Sequence, residues 1–202
     1  MTYSWSGEQP WAANLDIVDI NLGSILPELP GRVSGRIDGQ GSMQPFALHA
    51  TLENIDGSIR GVELRANGAV DMAGGVFEAR GLRIEHGKSW LILDGSPTLE
   101  AGLGFEARIA DANIYVDDVA GELHAKGHAR VTETEAAIKL ALQSPEFIVR
   151  ESKFADVSLV AEGTHEQQSM HLSGVSLDTP LKLGVTGAFD DWRNPLDSAW
   201  RG

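Results

Sequence analysis

The chain has 202 residues, a formal net charge of −13, 42% apolar residues and no cysteine. Its length suffices to bury a core, and its apolar share sets it apart from disordered chains. So large a negative charge argues against a phosphate-binding nucleic-acid groove and against electrostatic docking on anionic lipid head groups, and the lack of cysteine excludes disulfides and thiolate chemistry.

The opening decapeptide, Met1 to Pro10, is polar, with neither a basic start nor an apolar segment, so it does not read as a signal peptide. No stretch reaches the length of a membrane-spanning helix. That leaves either a cytosolic protein or an interior piece of a longer exported chain. Trp11, Ala13, Leu15 and Ile17 then alternate with their neighbours and predict an opening strand, because a period of two sends successive side chains to opposite faces. Leu22, Ile25, Leu26 and Leu29 take a helical spacing interrupted by Pro27, which predicts a short helix or 3₁₀ turn within 22–29. After Pro30-Gly31, four glycines flank Val33 and Ile37 in a strand of little bulk.

Phe46, Leu48, Ala50 and Leu52 give a clean alternation. Val62, Leu64 and Ala66 alternate with Glu63, Arg65 and Asn67 in the next strand, and Asn67-Gly68 and Gly74-Gly75 read as the chain reversals that follow. Leu82 and Ile84 precede a turn at His86-Gly87, after which Trp90 to Leu93 is apolar at every position. Leu99 to Ile109, through Ala101, Leu103, Phe105 and Ala107, is the longest alternation in the chain. Leu123 to Val131 follows. ETEAAIKLAL has helical local propensity, yet Ile138, Leu140 and Leu142 recur every second residue and predict a strand. Val157 and Leu159, then Met170 and Leu172, then Leu181, Leu183 and Val185 complete the series, and the ending DDWRNPLDSAW is turn-rich.

Roughly 13 to 16 short strands with almost no helix predict an all-β fold, an elongated antiparallel meander. GLRIEHGKSWLILDG (81–95) aligns with GVSLDTPLKLGVTG (174–187), so the chain reads as one segment built of two loose repeats, about 30–95 and about 120–187. The alignment sets Leu82 and Ile84 on Val175 and Leu177, and Leu91 and Leu93 on Leu183 and Val185. It therefore turns Leu91 and Leu93 to the apolar side and Trp90 outward or to a lip, with an ordinary core position for Trp90 as the equal alternative.

LPELPGRVSGRIDGQGS, followed by IRGVELRANGAV and GLRIEHGKSWLILDG, resembles the TamB family, the inner-membrane-anchored subunit of the bacterial translocation and assembly module, which belongs with the AsmA-like, bridge-type lipid-transport proteins. The pieces that carry the resemblance are Leu26 to Gly39, Gly61 to Gly68, and Gly87 to Gly95, where Lys88-Ser89 departs from the commoner asparagine. The resemblance implies a U-shaped half-pipe of curled sheet with a hydrophobic concave face. It also implies a periplasmic location for this segment, an inner-membrane anchor in the full-length chain, and an outer-membrane barrel protein as partner.

The residues support the same expectation independently. A sheet face that is apolar at alternate positions needs a cover, and no amphipathic helix is available to supply one, so the face either folds on itself or holds an apolar guest. Phospholipid acyl chains fit such a lining. Its expected residues are Leu48, Ala50, Leu52, Val62, Leu64, Ala66, Leu82, Ile84, Leu91, Leu93, Leu103, Phe105 and Ile109 in the first part. Ile138, Leu140, Leu142, Val157, Leu159, Leu172, Leu177, Leu181, Leu183 and Val185 follow in the second. The alternative is a scaffold that holds unfolded outer-membrane strands by edge pairing.

No enzyme, cofactor or metal is expected. His124 and His128 lie four apart, a metal spacing only on a helix, and on a strand both face water. His165 and His171 are separated by a polar turn. GLGFEA (102–107) has the letters of a dinucleotide loop but lies inside an alternating strand. Asp16, Asp19 and Asn21 lack the later glutamate of a calcium loop. Ser34 and Ser89 have no nucleophile-elbow surroundings, and nothing singles out Asp117-Asp118 or Asp190-Asp191 as a hydrolytic pair.

Overall fold

The computed structural model describes residues 10–24, 30–132, 134–189 and 200–201. The chain divides into two compact units, Met1–Gly87 with Leu93–Ser96, and Lys88–Ile92 with Pro97–Gly202.

The first unit contains β1 (Pro10–Asn21), β2 (Gly31–Met43), β3 (Phe46–Ile59), β4 (Val62–Ala73) and β5 (Val76–His86). Each pairs antiparallel with the next in chain order. β6 (Ser89–Gly95) contributes residues to both units. The second unit contains β7 (Leu103–Ile109), β8 (Val119–Gly121), β9 (Leu123–Val131), β10 (Ala136–Val149), β11 (Ser152–Thr164), β12 (Gln168–Ser176), β13 (Thr179–Phe189) and β14 (Trp200–Arg201). Here β7 pairs with β9, and the order continues β9-β10-β11-β12-β13-β14, while β8 attaches to β10. The expected all-β antiparallel meander is present, and among the described residues neither unit closes its first strand onto its last.

The strands are longer than expected, up to 14 residues in β3 and β10. In β4, Asn67-Gly68 does not reverse the chain, and the strand continues through it to 12 residues. The other end of the range is shorter. Leu99 and Ala101 lie in a turn closed by the Gly102 N–H donating to the Leu99 carbonyl (2.9 Å), so the strand starts only at Leu103. Ile138 to Leu142 is strand despite its helical propensity, since cross-strand partners on both sides outweigh a preference of a few tenths of a kcal/mol per residue. A 3₁₀ turn occupies Leu22–Ser24, and the rest of the 22–29 expectation, like the DDWRN ending, lies outside the described residues.

One device recurs in four strands. Asp19 in β1, Asn54 in β3, Gly81 in β5 and Asp156 in β11 all adopt left-handed backbone, with φ of 53°, 49°, 54° and 50°. At each, two residues oppose one on a neighbouring strand. These are β-bulges, which bend a strand and increase its twist. Opposite Asn54–Ile55 stands Gly35, and opposite Gly81–Leu82 stands Gly68, with φ of 144° and 124°. A Cβ on Gly35 would lie 2.8 Å from the Ile55 Cα, so only glycine fits there. Two bulge N–H groups are satisfied by side chains: Asp19 donates to Ser34 Oγ (3.0 Å) and Gly81 to Asp94 Oδ1 (2.9 Å).

The bulge also shifts the apolar phase. Ile17 and Ile20, Leu52 and Ile55, Ala79 and Leu82, and Phe154 and Val157 are three apart, yet each pair stays on one face because the extra residue absorbs the odd step. The core of the first unit sits at this seam: Val33, Ile55 and Ala66, with Leu22, Ile37, Leu52, Leu64 and Ile84 packed against them.

Candidate functional site

Directly opposed residues of antiparallel strands share a face, so the register assigns the lining residues of the strands it covers. In the first unit the row Trp11, Gly41, Leu48, Met72 and Phe77 crosses five strands. Ala13, Gly39, Ala50, Val70 and Ala79 form the next row, and Leu15, Ile37, Leu52 and Gly68 the one beyond. Past the bulges come Ile55, Ala66 and Ile84, then Leu64 opposite Gly57, and Val62 opposite Ile59. Leu82 stands beside Gly68 on the same side. All eight residues expected from β3, β4 and β5 therefore lie on one face.

The second unit repeats the arrangement. Phe105, Gly127, Leu140, Ala161, Met170 and Val185 form one row across six strands, and Ala107, Ala125, Leu142, Leu159, Leu172 and Leu183 form its neighbour. Leu103 and Ile138 flank Ala129, Ile109 pairs with Leu123, and Leu181 opposes Gly174 beside the Val157 bulge. Leu177 is a correction: it occupies the two-residue turn between β12 and β13 with φ of 48°, and it is 91% exposed. The repeat alignment misplaced it because it put a strand position opposite a turn position. Trp90, Leu91, Ile92 and Leu93 are all half-buried in β6.

These faces are apolar but not packed away. Among the described residues the buried apolar side chains are Val33, Ala50, Ile55, Ala66, Ala79, Leu82 and Ala112, mostly small. Leu15, Met72, Leu181 and Leu183 stay between 39% and 54% exposed. A strand face of large apolar residues that remains wet gains little of the roughly 25 cal/mol per Å² that a cover would supply. Aromatic rings fill the gaps over glycine. The Trp11 indole lies where a Cβ on Gly39 or Gly41 would meet it, at 3.3 and 3.1 Å, and the Phe105 ring lies still closer over Gly127.

The opposite faces are ladders of charge. Asp16 meets Arg36 (2.9 Å), Asp19 meets Arg32 (2.5 Å), and Asp71 takes His49 (2.7 Å) and Arg80 (2.9 Å). In the second unit Glu122 joins Arg108 (2.7 Å) and His124 (2.6 Å). Burial pushes the Asp71 carboxyl up, but the Arg80 and His49 partners outweigh it and hold it below the ordinary carboxylate range. Hydrogen bonds from Arg108, then His124, do the same for Glu122. A cavity of about 630 Å³ on the charged side of the second unit is bordered by His128, Arg130, Lys139 and Glu162.

Four of the other candidate residues have structural partners. His124 pairs with Glu122, and His128 bonds to the Ala101 carbonyl. Ser34 serves the β1 bulge, and the buried Ser89 accepts from the Ala110 N–H (3.0 Å). Asp190-Asp191 lies outside the described residues. Among the described residues, no helix is long and apolar enough to cross a membrane.

Reading strict alternation misses Ile20, Ile55 and Ile59, because the bulges in β1 and β3 move them off phase. A signal was available: IVDI, LENI, ARGL and FADV each place Asp, Asn or Gly just before the second apolar residue, the types that tolerate left-handed backbone. A sequence model of the family described as TamB, N-terminal domain, matches residues 1–144. No curated protein and no solved structure matches the chain.

Proposed function

Because the chain belongs to the TamB family, we propose that its two apolar faces are repeats of one lining plan, about 30–95 and about 120–187, that carries phospholipid acyl chains between inner and outer membrane without catalysing a reaction. The observation that supports this reading is the uninterrupted apolar rows, five and six strands wide, whose large side chains remain exposed. An acyl chain gains about 0.8 kcal/mol per buried CH₂, so half-covering a long chain contributes roughly 5–6 kcal/mol without polar recognition. The segment then works in the periplasm as part of a chain anchored in the inner membrane, with an outer-membrane barrel protein as partner.

Leu64→Arg and Leu140→Asp place a charge in each lining and are expected to abolish lipid co-purification, read by native mass spectrometry and by photo-crosslinking to lipid. Lys182→Glu, on the charged face, is expected to change neither. Undiminished lipid in folded Leu64→Arg and Leu140→Asp proteins overturns the proposal.

A second reading rests on a separate observation: among the described residues β1 pairs on one side only. A free edge accepts an extended strand through its backbone, which suits a scaffold for outer-membrane protein assembly. Proline at Ala13 removes a backbone donor and is expected to block strand capture while sparing lipid. Leu64→Arg is expected to do the reverse, so the two variants separate the readings.

A further inference from the structure

The chain contains no cysteine, so methionine is its only sulfur. All three described methionines lie on the apolar faces: Met43 opposite Phe46, Met72 between Leu48 and Phe77, and Met170 between Ala161 and Val185. Buried methionine is shielded from oxidants, but these three are 59%, 39% and 37% exposed. Each therefore combines a position inside the lining with access for a small oxidant.

Resting on the acyl-chain reading, we propose that Met72 and Met170, with Met43, are oxidation sites through which a peroxide closes the apolar faces to lipid. The thioether sulfur attacks one peroxide oxygen. The O–O bond breaks as the S–O bond forms, sulfur loses two electrons, and hydrogen peroxide leaves as water. The product sulfoxide is a strong acceptor, and the neighbours Leu48, Phe77, Ala161 and Val185 offer no side-chain donor. An acyl chain laid across it strands that oxygen without a hydrogen bond, which weakens capture by roughly tenfold or more per sulfoxide contacted. Because a reductase class returns methionine sulfoxide to methionine, the change is reversible.

The test treats the purified chain with hydrogen peroxide, maps added oxygen by peptide mass spectrometry, and measures capture of a fluorescent long-chain fatty acid before and after. Far-UV circular dichroism monitors strand content. The expected result is one oxygen on each of Met43, Met72 and Met170, unchanged strand content, and at least about tenfold weaker capture, restored by methionine sulfoxide reductase. A Met43→Leu/Met72→Leu/Met170→Leu protein, compared with its own untreated level, is expected to be indifferent to peroxide. Unoxidised Met72 and Met170, capture unchanged by oxidation, or an equal loss in the triple variant overturns the proposal. Absence of capture by the untreated wild-type chain instead removes the acyl-chain reading itself, and this proposal with it.

Discussion

A methyl group on Gly68 would stand 2.5 Å from the Leu82 Cα and 2.7 Å from the Gly81 carbonyl oxygen, at a φ of 124°. Backbone atoms cannot yield as a side-chain tip can, so Gly68→Ala is expected to destabilise the chain by about 2–3 kcal/mol in urea unfolding. Asn54 sits in the same seam with φ of 49°. Asn54→Gly keeps that conformation and is expected to be nearly neutral, whereas Asn54→Val is expected to cost about 1–2 kcal/mol. On the charged face Asp71 gives a pH signature. Its folded carboxyl is held below its unfolded value, so its contribution is complete above about pH 4 and lost as pH falls through the folded value. Asp71→Asn is expected to shrink the difference in melting temperature between pH 7 and pH 3, measured by scanning calorimetry.

At the scale of the strand, the bulge decides which face a residue serves. Deleting Asn54 removes the extra step in β3 and turns Ile55 and Ile59 toward the charged face. The shortened protein is expected to lose cooperative unfolding, with no sharp transition by tryptophan fluorescence, while Asn54→Gly keeps one. The same element shows what alternation reveals and what it hides. Leu48 to Leu52 and Val62 to Ala66 were readable because hydrophobicity there follows the pleat without interruption. Asn67-Gly68 imitated a hairpin turn because glycine is required equally by a reversal and by a position facing a bulge. Leu99 and Ala101 imitated strand because a turn leaves alternation in sequence intact. Leu177 failed because self-alignment carries no information on backbone handedness. The charged ladders were hidden for another reason: Asp71, His49 and Arg80 lie on three strands, and their meeting depends on register.

At the scale of the molecule, chemistry is partitioned between the two faces of each unit. Charges concentrate on one side of each sheet, where pairs such as Asp16–Arg36 remain solvated and contribute little to stability. The other side is left with large residues that water touches. The lipid-capture loss expected for Leu64→Arg and Leu140→Asp belongs at this scale, since one unpaired charge costs several kcal/mol and outweighs the gain from several methylenes.

Strand order within each unit bears on how the chain is made. Since β2 through β5 each pair with the strand just before them, every new strand leaving the ribosome or a secretion channel finds its partner already laid down. The sheet can grow from its first hairpin without waiting for distant sequence, which spares the nascent chain a long interval with unpaired edges exposed. Among the described strands only β8 interrupts this progression, because β9 bypasses it to reach β7. A pause in vectorial assembly is therefore expected there, visible as delayed protease resistance of chains stalled between β8 and β10.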